Sequence, residues 1–171
     1  MIPLDLTIAI HAAAQQTANL LRRDGRRVVF AESCTAGLVS GSLAQIPGIS
    51  EHLCGSAVVY RAGTKQQWLS VTAEDLDRYS AVSAPVTRAM SMGALQITPE
   101  ADISVAVTGH LGPDAPAELD GQVFIAVAAR RGGAAAPTMV GEHQLRLGRL
   151  GRVERQFEAV LSVLAHLNTT M

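Results

Sequence analysis

Residues 26–46 read RRVVFAESCTAGLVSGSLAQI. An apolar run, VVFA at 28–31, meets three hydroxyl or thiol side chains, Ser33, Cys34 and Thr35. The small pair Ala36–Gly37 follows, and then apolar residues resume up to Pro47 and Gly48. The pattern predicts a buried strand that turns directly into a helix. A helix that begins at a strand end leaves backbone N–H groups unpaired, and these attract phosphate or a developing oxyanion. Gly37 and the small Ala36 would let a ligand come close. The same residues have a plainer use, with Ser33 or Thr35 capping the helix. Cys34 is a third candidate, because a helix N-terminus lowers a thiol pKa. Against it, strand alternation turns Cys34 opposite to its neighbours, and buried cysteine is commonly inert. From these residues alone, nucleophile and cap both stand.

The rest of the chain extends this strand–helix unit. Leu4, Ile8, Ala12 and Leu20 or Leu21 recur at helical spacing over 4–23, with Gly25 as the stop. GSAVVY at 55–60 reads as a short strand and TKQQWLS at 64–70 as a helical turn or short helix. Thr72, three residues before Asp75, marks a helix start, as do Ser83 and Pro85. ADISVAVTG at 101–109 is a strand, and 110–120 is a loop rich in Pro, Asp and Gly. GQVFIAVAAR and PTMVGEHQLRL pair as an antiparallel ribbon across RGGAAA, with the GGAAA stretch as its turn. Over 150–167, Val153, Phe157, Val160, Leu161, Leu164 and Leu167 mark an amphipathic helix. The order α-β-α-β-α-α-β-β-β-α predicts a single-domain layered α/β fold over residues 1–171, its mixed β-sheet flanked by helices.

Composition excludes several function classes. The 171 residues carry a formal net charge of −1 and no basic run, so nucleic acid is not an expected partner. Arg146, Arg149, Arg152 and Arg155 gather near the last helix and read first as a solvated face. Cys34 and Cys54 are the only cysteines, which fits a reduced, cytoplasmic setting. The N-terminus has no basic n-region ahead of an apolar stretch, so no signal peptide is expected. No membrane span is expected either. The five histidines show no metal-ligand spacing, and neither a Walker-type loop nor GxGxxG is present. No metal or organic cofactor is therefore expected.

In open α/β sheets, ligands gather at the carboxyl ends of strands. Three segments end strands with suggestive residues: FAESCTAG, VVYRAGTK and VAVTGHLGP. Lys65 in the second is the only lysine against thirteen arginines. Arginine cannot release its proton near neutral pH, whereas a desolvated lysine can and then serves as a base toward serine. Its plainer reading is a solvated lysine on a short helix. Tyr60 lies five residues earlier, across a turn that holds Gly63. In the third segment, Thr108 can donate to a ligand or cap the strand, with Gly109 beside it. His110 invites a general-base reading without a nameable partner.

Taken together, AESCTAGLVSGSLAQIPGIS, GSAVVYRAGTKQQWLSV, AVSAPVTRAMSMGAL and ISVAVTGHLGPD resemble the CinA C-terminal domain family over roughly residues 10–165. Its characterised members are nicotinamide mononucleotide (NMN) deamidases, which hydrolyse the nicotinamide carboxamide to nicotinic acid mononucleotide and ammonia. The resemblance implies a Ser–Lys dyad, with Ser33 at the serine position and Lys65 at the lysine position. It also implies site roles for Tyr60 and Thr108, and for an arginine that aligns with Arg149 or Arg152. Substrate binding is expected at Thr35, Ala36, Gly37, Thr108, Gly109 and one of those arginines. A small-molecule substrate and a homodimer or higher homo-oligomer are the implied partners.

The sequence also departs from that pattern. The family motif carries two glycines after the threonine, where this chain has Ala36 and Gly37. Arg61-Ala62 replaces a Ser-Asn pair, and DAPAELDGQV replaces a glycine-rich continuation after the VTGxxGP motif. Three readings follow: an NMN deamidase, a hydrolase of another amide whose anionic group meets Arg61, or a non-catalytic ligand-binding or regulatory protein.

Overall fold

The computed structural model describes residues 3–130, 136–149 and 151–171. The elements run α1 (Leu4–Asp24), β1 (Val28–Glu32), α2 (Leu38–Ala44), a 3₁₀ turn (Ile49–Glu51), β2 (Leu53–Val58), α3 (Ala62–Leu69), α4 (Ala73–Tyr79), α5 (Ala84–Ile97), β3 (Ile103–Gly109), β4 (Gln122–Ala129), β5 (Thr138–Arg146) and α6 (Arg152–Thr170). The strands form one mixed sheet in the order β2-β1-β3-β4-β5. β1 pairs parallel with both β2 and β3, and the remaining pairs are antiparallel.

Alternation along the strands divides the core. Val28, Phe30, Val105, Val107 and Ile125 point to one face and pack with Leu21 of α1, Leu43 of α2 and Leu164 of α6. Val29, Ala31 and Ala106 point to the other and pack with Leu69 of α3 and Val86 and Met90 of α5. Both faces of β1 are buried, which explains its uninterrupted apolar run. Each fully buried aliphatic side chain contributes about 1.5–3 kcal/mol.

Most of the expected elements form near their expected bounds. The caps at Thr72 and Ser83 accept from the amides of Asp75 and Val86, and Gly25 ends α1 in the left-handed region at φ +60°. Two expectations need correction. TKQQWLS belongs to a complete helix, α3, so three helices rather than two separate β2 from β3. The helix after β1 does not follow the strand directly, because residues 33–37 form a turn and α2 begins only at Leu38. Of the GGAAA turn, residues 132–135 lie outside the described residues, as does Leu150.

The turn into α2 places two successive residues in the left-handed region, Ala36 at φ +52° and Gly37 at φ +92°. An L-residue there is disfavoured by about 1–2 kcal/mol, partly offset because glycine loses more freedom on folding. Ala36 is exposed, so its methyl group packs against little. Ala36→Gly is therefore expected to stabilise the protein by about 0.5–1 kcal/mol. A urea unfolding midpoint checks this, and an unchanged or lower midpoint would contradict it.

Candidate active site

The carboxyl ends of the three parallel strands lie side by side, with β1 in the middle. Register places Glu32 between Val58 of β2 and Val107 of β3. Immediately beyond, the Ser33 amide donates to the Val107 carbonyl and the Val59 amide donates to the Glu32 carbonyl. Odd-numbered residues of β1 face α3 and α5, and Ser33 continues that series. It meets Lys65 there. Lys65 Nζ lies 2.9 Å from Ser33 Oγ and donates to the Val59 carbonyl at 2.8 Å.

Lys65 is 1% exposed. It sits on the inner side of α3, one turn before Leu69, and α3 is short and firmly bounded. Its start is fixed by a reciprocal contact, in which Arg61 N donates to Thr64 Oγ1 and Thr64 Oγ1 donates to Arg61 O. Its end is Ser70 in the left-handed region at φ +56°. Burial lowers the lysine from its ordinary 10.5 to about 8. Among the described residues no carboxylate bonds its amine. A lysine held this way gives up its proton near neutral pH, which a partnered one would not.

Cys34 points away, into the cluster beneath α1, α2 and α6, and is 4% exposed. Burial pushes its thiol up to about 12. That disfavours the thiolate a nucleophile needs, in line with the strand alternation and inert burial that weigh against Cys34 in the sequence.

The helix start is also corrected. Glu32, 1% exposed, turns its carboxylate toward α2. Oε2 accepts from Thr35 Oγ1 at 2.8 Å, Gly37 N at 2.9 Å and Val39 N at 3.0 Å. Oε1 accepts from Ser40 N and Ser56 Oγ, both at 3.0 Å. The amides expected to hold phosphate or oxyanion are thus filled from within the chain, and neither Ser33 nor Thr35 caps the helix. Thr35 is fully buried, while Ala36 is exposed. Among the described residues the amides of Cys34 and Thr35 donate to no backbone carbonyl.

Thr108 is likewise fully buried. Its Oγ1 lies 2.8 Å from Thr87 Oγ1, and Thr87 donates its own proton to the Ser83 carbonyl at 2.7 Å. Either hydroxyl can be the donor in that pair, and with Thr87 turned to Ser83 the Thr108 proton goes to Thr87. Thr87 is thus the side chain that Thr108 meets at the end of β3. Gly109 serves packing, since a Cβ there would lie 2.8 Å from Val123 Cγ2 and 3.2 Å from Cys34 Sγ. His110 has no side-chain partner among the described residues.

The structure separates the two aligned arginines. Arg149 pairs with Asp5 of α1 at 2.9 Å. Arg152, the first residue of α6, donates to Tyr60 Oη at 2.8 Å and to the Gly112 carbonyl at 2.5 Å. Tyr60 follows β2 and Gly112 follows β3, so Arg152 spans the end of β1 between them. Arg155 departs from the expected solvated face. It is 8% exposed and forks onto Asp120 at 2.6 and 2.8 Å, tying the 110–120 loop to α6. Gln156 donates to the Cys34 carbonyl at 3.0 Å. Glu32, Gln156 and the Arg155–Asp120 pair went unread in the sequence; only an acidic residue closing an apolar strand hinted at Glu32.

Among the described residues, no three His, Cys, Asp or Glu side chains gather in a metal-holding group, and no helix is long and apolar enough to cross a membrane. Comparison with known proteins identifies the family and the fold. The model of the CinA C-terminal domain matches residues 10–169. A CinA-like protein of Prochlorococcus marinus is 40% identical over 156 residues, 90% of this chain but 35% of its own length. A CinA-like protein of Mycobacterium avium is 37% identical over 147 residues, covering 85% and 34%. The chain thus spans about a third of the length of these curated relatives. Among solved structures, the competence/damage inducible protein CihA of Agrobacterium tumefaciens superposes with a TM-score of 0.85 at 32% identity, covering 99% of this chain and 98% of that one. The competence damage-inducible protein A of Klebsiella pneumoniae gives 0.84 at 26% identity, covering 94% and 95%.

Proposed function

The chain belongs to the CinA C-terminal domain family, and we propose that it is a nicotinamide-nucleotide amidohydrolase, converting NMN to nicotinic acid mononucleotide and ammonia through Ser33 and Lys65. The observation that carries the reading is the buried lysine amine 2.9 Å from a serine hydroxyl, with no acid to hold its charge. As a neutral amine it donates to Val59 O and accepts the Ser33 proton as Ser33 Oγ attacks the amide carbon. The developing oxyanion is met by the amides of Cys34 and Thr35, the two residues after the nucleophile, neither of which donates to a backbone carbonyl among the described residues. The protonated lysine then returns its proton to the leaving ammonia. Water resolves the acyl-enzyme by the same route, with Lys65 again as base.

Arg152 and Tyr60, both at the exposed rim, bind the 5′-phosphate, a role that planar guanidinium donors fit well. Arg149 is spoken for by Asp5. The amides at the start of α2 take no part in phosphate binding, since Glu32 holds them.

The experiment is ammonia release from NMN by the purified protein, with Ser33→Ala alongside. Wild type is expected to release ammonia, and Ser33→Ala to fall to background while still binding NMN. The kcat/KM of wild type is expected to rise with pH through about 8, because only the neutral form of Lys65 is a base. A folded wild type that binds NMN without releasing ammonia would overturn the activity and favour a ligand-binding role.

A further inference from the structure

We infer that Glu32 is a positioning residue, holding Ser33 in line with Lys65 from the opposite face of the sheet. The inference rests on the Ser–Lys reading above and adds a residue to it. Glu32 never reaches the substrate, since its side chain points toward α2 and Ser33 points toward α3.

Residues 33–37 have no regular hydrogen-bond ladder, and two of them, Ala36 and Gly37, are left-handed. Such a turn persists only where its surroundings over-determine it. One end is fixed by the sheet, through Ser33 N on Val107 O. Gln156 holds the Cys34 carbonyl from α6, and the far end is gathered by Glu32, which accepts from Thr35 Oγ1 and the amides of Gly37, Val39 and Ser40. Its fifth contact, Ser56 Oγ, lies on β2. The next residues beyond that strand are Val59, whose carbonyl holds the Lys65 amine, and Tyr60. One buried carboxylate therefore ties together the nucleophile turn, the first turn of α2 and the strand that leads to the base.

A buried acid is normally disfavoured unless its oxygens are satisfied. Here all five contacts come from donors on the turn, on α2 and on β2, with no lysine or arginine among them. A simple ion pair would not need this arrangement. Glu32 occupies the amides of Gly37, Val39 and Ser40, so the amides next to Ser33 that bond neither it nor a backbone carbonyl among the described residues are those of Cys34 and Thr35.

The test compares Glu32→Gln and Glu32→Asp with wild type on folded protein. Gln preserves volume but turns an NH₂ toward donors. Asp keeps the carboxylate on a shorter arm. Two readouts are taken: kcat and KM for NMN, and the rate at which a fluorophosphonate labels Ser33, which needs no knowledge of the natural amide. Glu32→Gln is expected to lower kcat and the labelling rate at least 100-fold, with KM changed less than threefold. Glu32→Asp is expected to recover about a tenth of both. Ser56→Ala, which leaves the carboxylate and the site untouched, is expected to lower both rates three- to tenfold. It decides the matter should Glu32→Gln not fold. Labelling and kcat at wild-type levels in folded Glu32→Gln, or in Ser56→Ala, would overturn the inference. Labelling of wild type without ammonia release would instead overturn the NMN reading and leave the role of Glu32 standing.

Discussion

Lys65→Met is expected to abolish ammonia release and, at neutral pH, to make the protein more stable. The loss of activity follows from the base: methionine fills the same space but accepts no proton, so turnover should fall by at least ~10³-fold. The gain in stability follows from linkage. Lys65 titrates near 10.5 when unfolded and about 8 when folded. Between those values the unfolded chain binds more protons, so stability rises with pH across that window. Below about 8 both states carry the charge, and the folded state bears the full penalty of burying it, roughly 3 kcal/mol. The fold tolerates that penalty for a poised base. Lys65→Met is accordingly expected to have a higher urea midpoint than wild type at pH 7, with the gap closing toward pH 10. A lower midpoint at pH 7, or a slope between pH 8 and 10 that survives the substitution, would refute the account. Lys65→Arg should lose activity as well, but with the opposite effect on stability, because a guanidinium keeps its charge at any of these pH values.

The parts of this site that were legible in the sequence are those fixed by local pattern. Alternation along VVFAES separates Ser33 from Cys34, and the two do face opposite layers. Scarcity singled out Lys65, and the fold brings it to Ser33 across 32 positions. The amphipathic spacing of Val160, Leu164 and Leu167 read correctly as the buried side of α6. What stayed hidden depends on side chains reaching between distant elements. Glu32 fills the start of α2, so a helix terminus that looked open is closed. Thr108 reads as a possible ligand donor, but its hydrogen bond to Thr87 of α5 could not be foreseen from the strand end alone. Arg149 and Arg152 were indistinguishable by spacing, and only the position of Tyr60, 92 residues from Arg152, tells them apart. Arg155 looked solvated because its partner Asp120 lies in the loop that departs from the family pattern.

Gly93→Ala is expected to be among the most destabilising single substitutions in the molecule, although it lies in mid-helix, where alanine is ordinarily preferred. A Cβ at Gly93 would lie 2.0 Å from the Leu69 carbonyl oxygen and 2.8 Å from its carbon. Both are backbone atoms, so no side chain can swing aside, and α3 and α5 must separate. Overpacking of this kind costs about 1–3 kcal/mol and more where backbone must move, and roughly 3 kcal/mol is expected here. Gly41, within α2, is the control. Nothing lies within 4 Å of a Cβ there, and Gly41→Ala should stabilise by about 0.5–1 kcal/mol through helix propensity. The effect at Gly93 reaches the chemistry because Leu69 lies one turn beyond Lys65 on α3. Pushing α3 away from α5 lengthens the 2.9 Å separation from Ser33 and lets water reach the amine. In the folded fraction of Gly93→Ala, kcat should therefore fall, and the midpoint of the pH–rate profile should climb from about 8 toward the ordinary 10.5. A destabilised variant that keeps its midpoint near 8 would mean that the close packing of α3 on α5 supports the fold without setting the burial of the base.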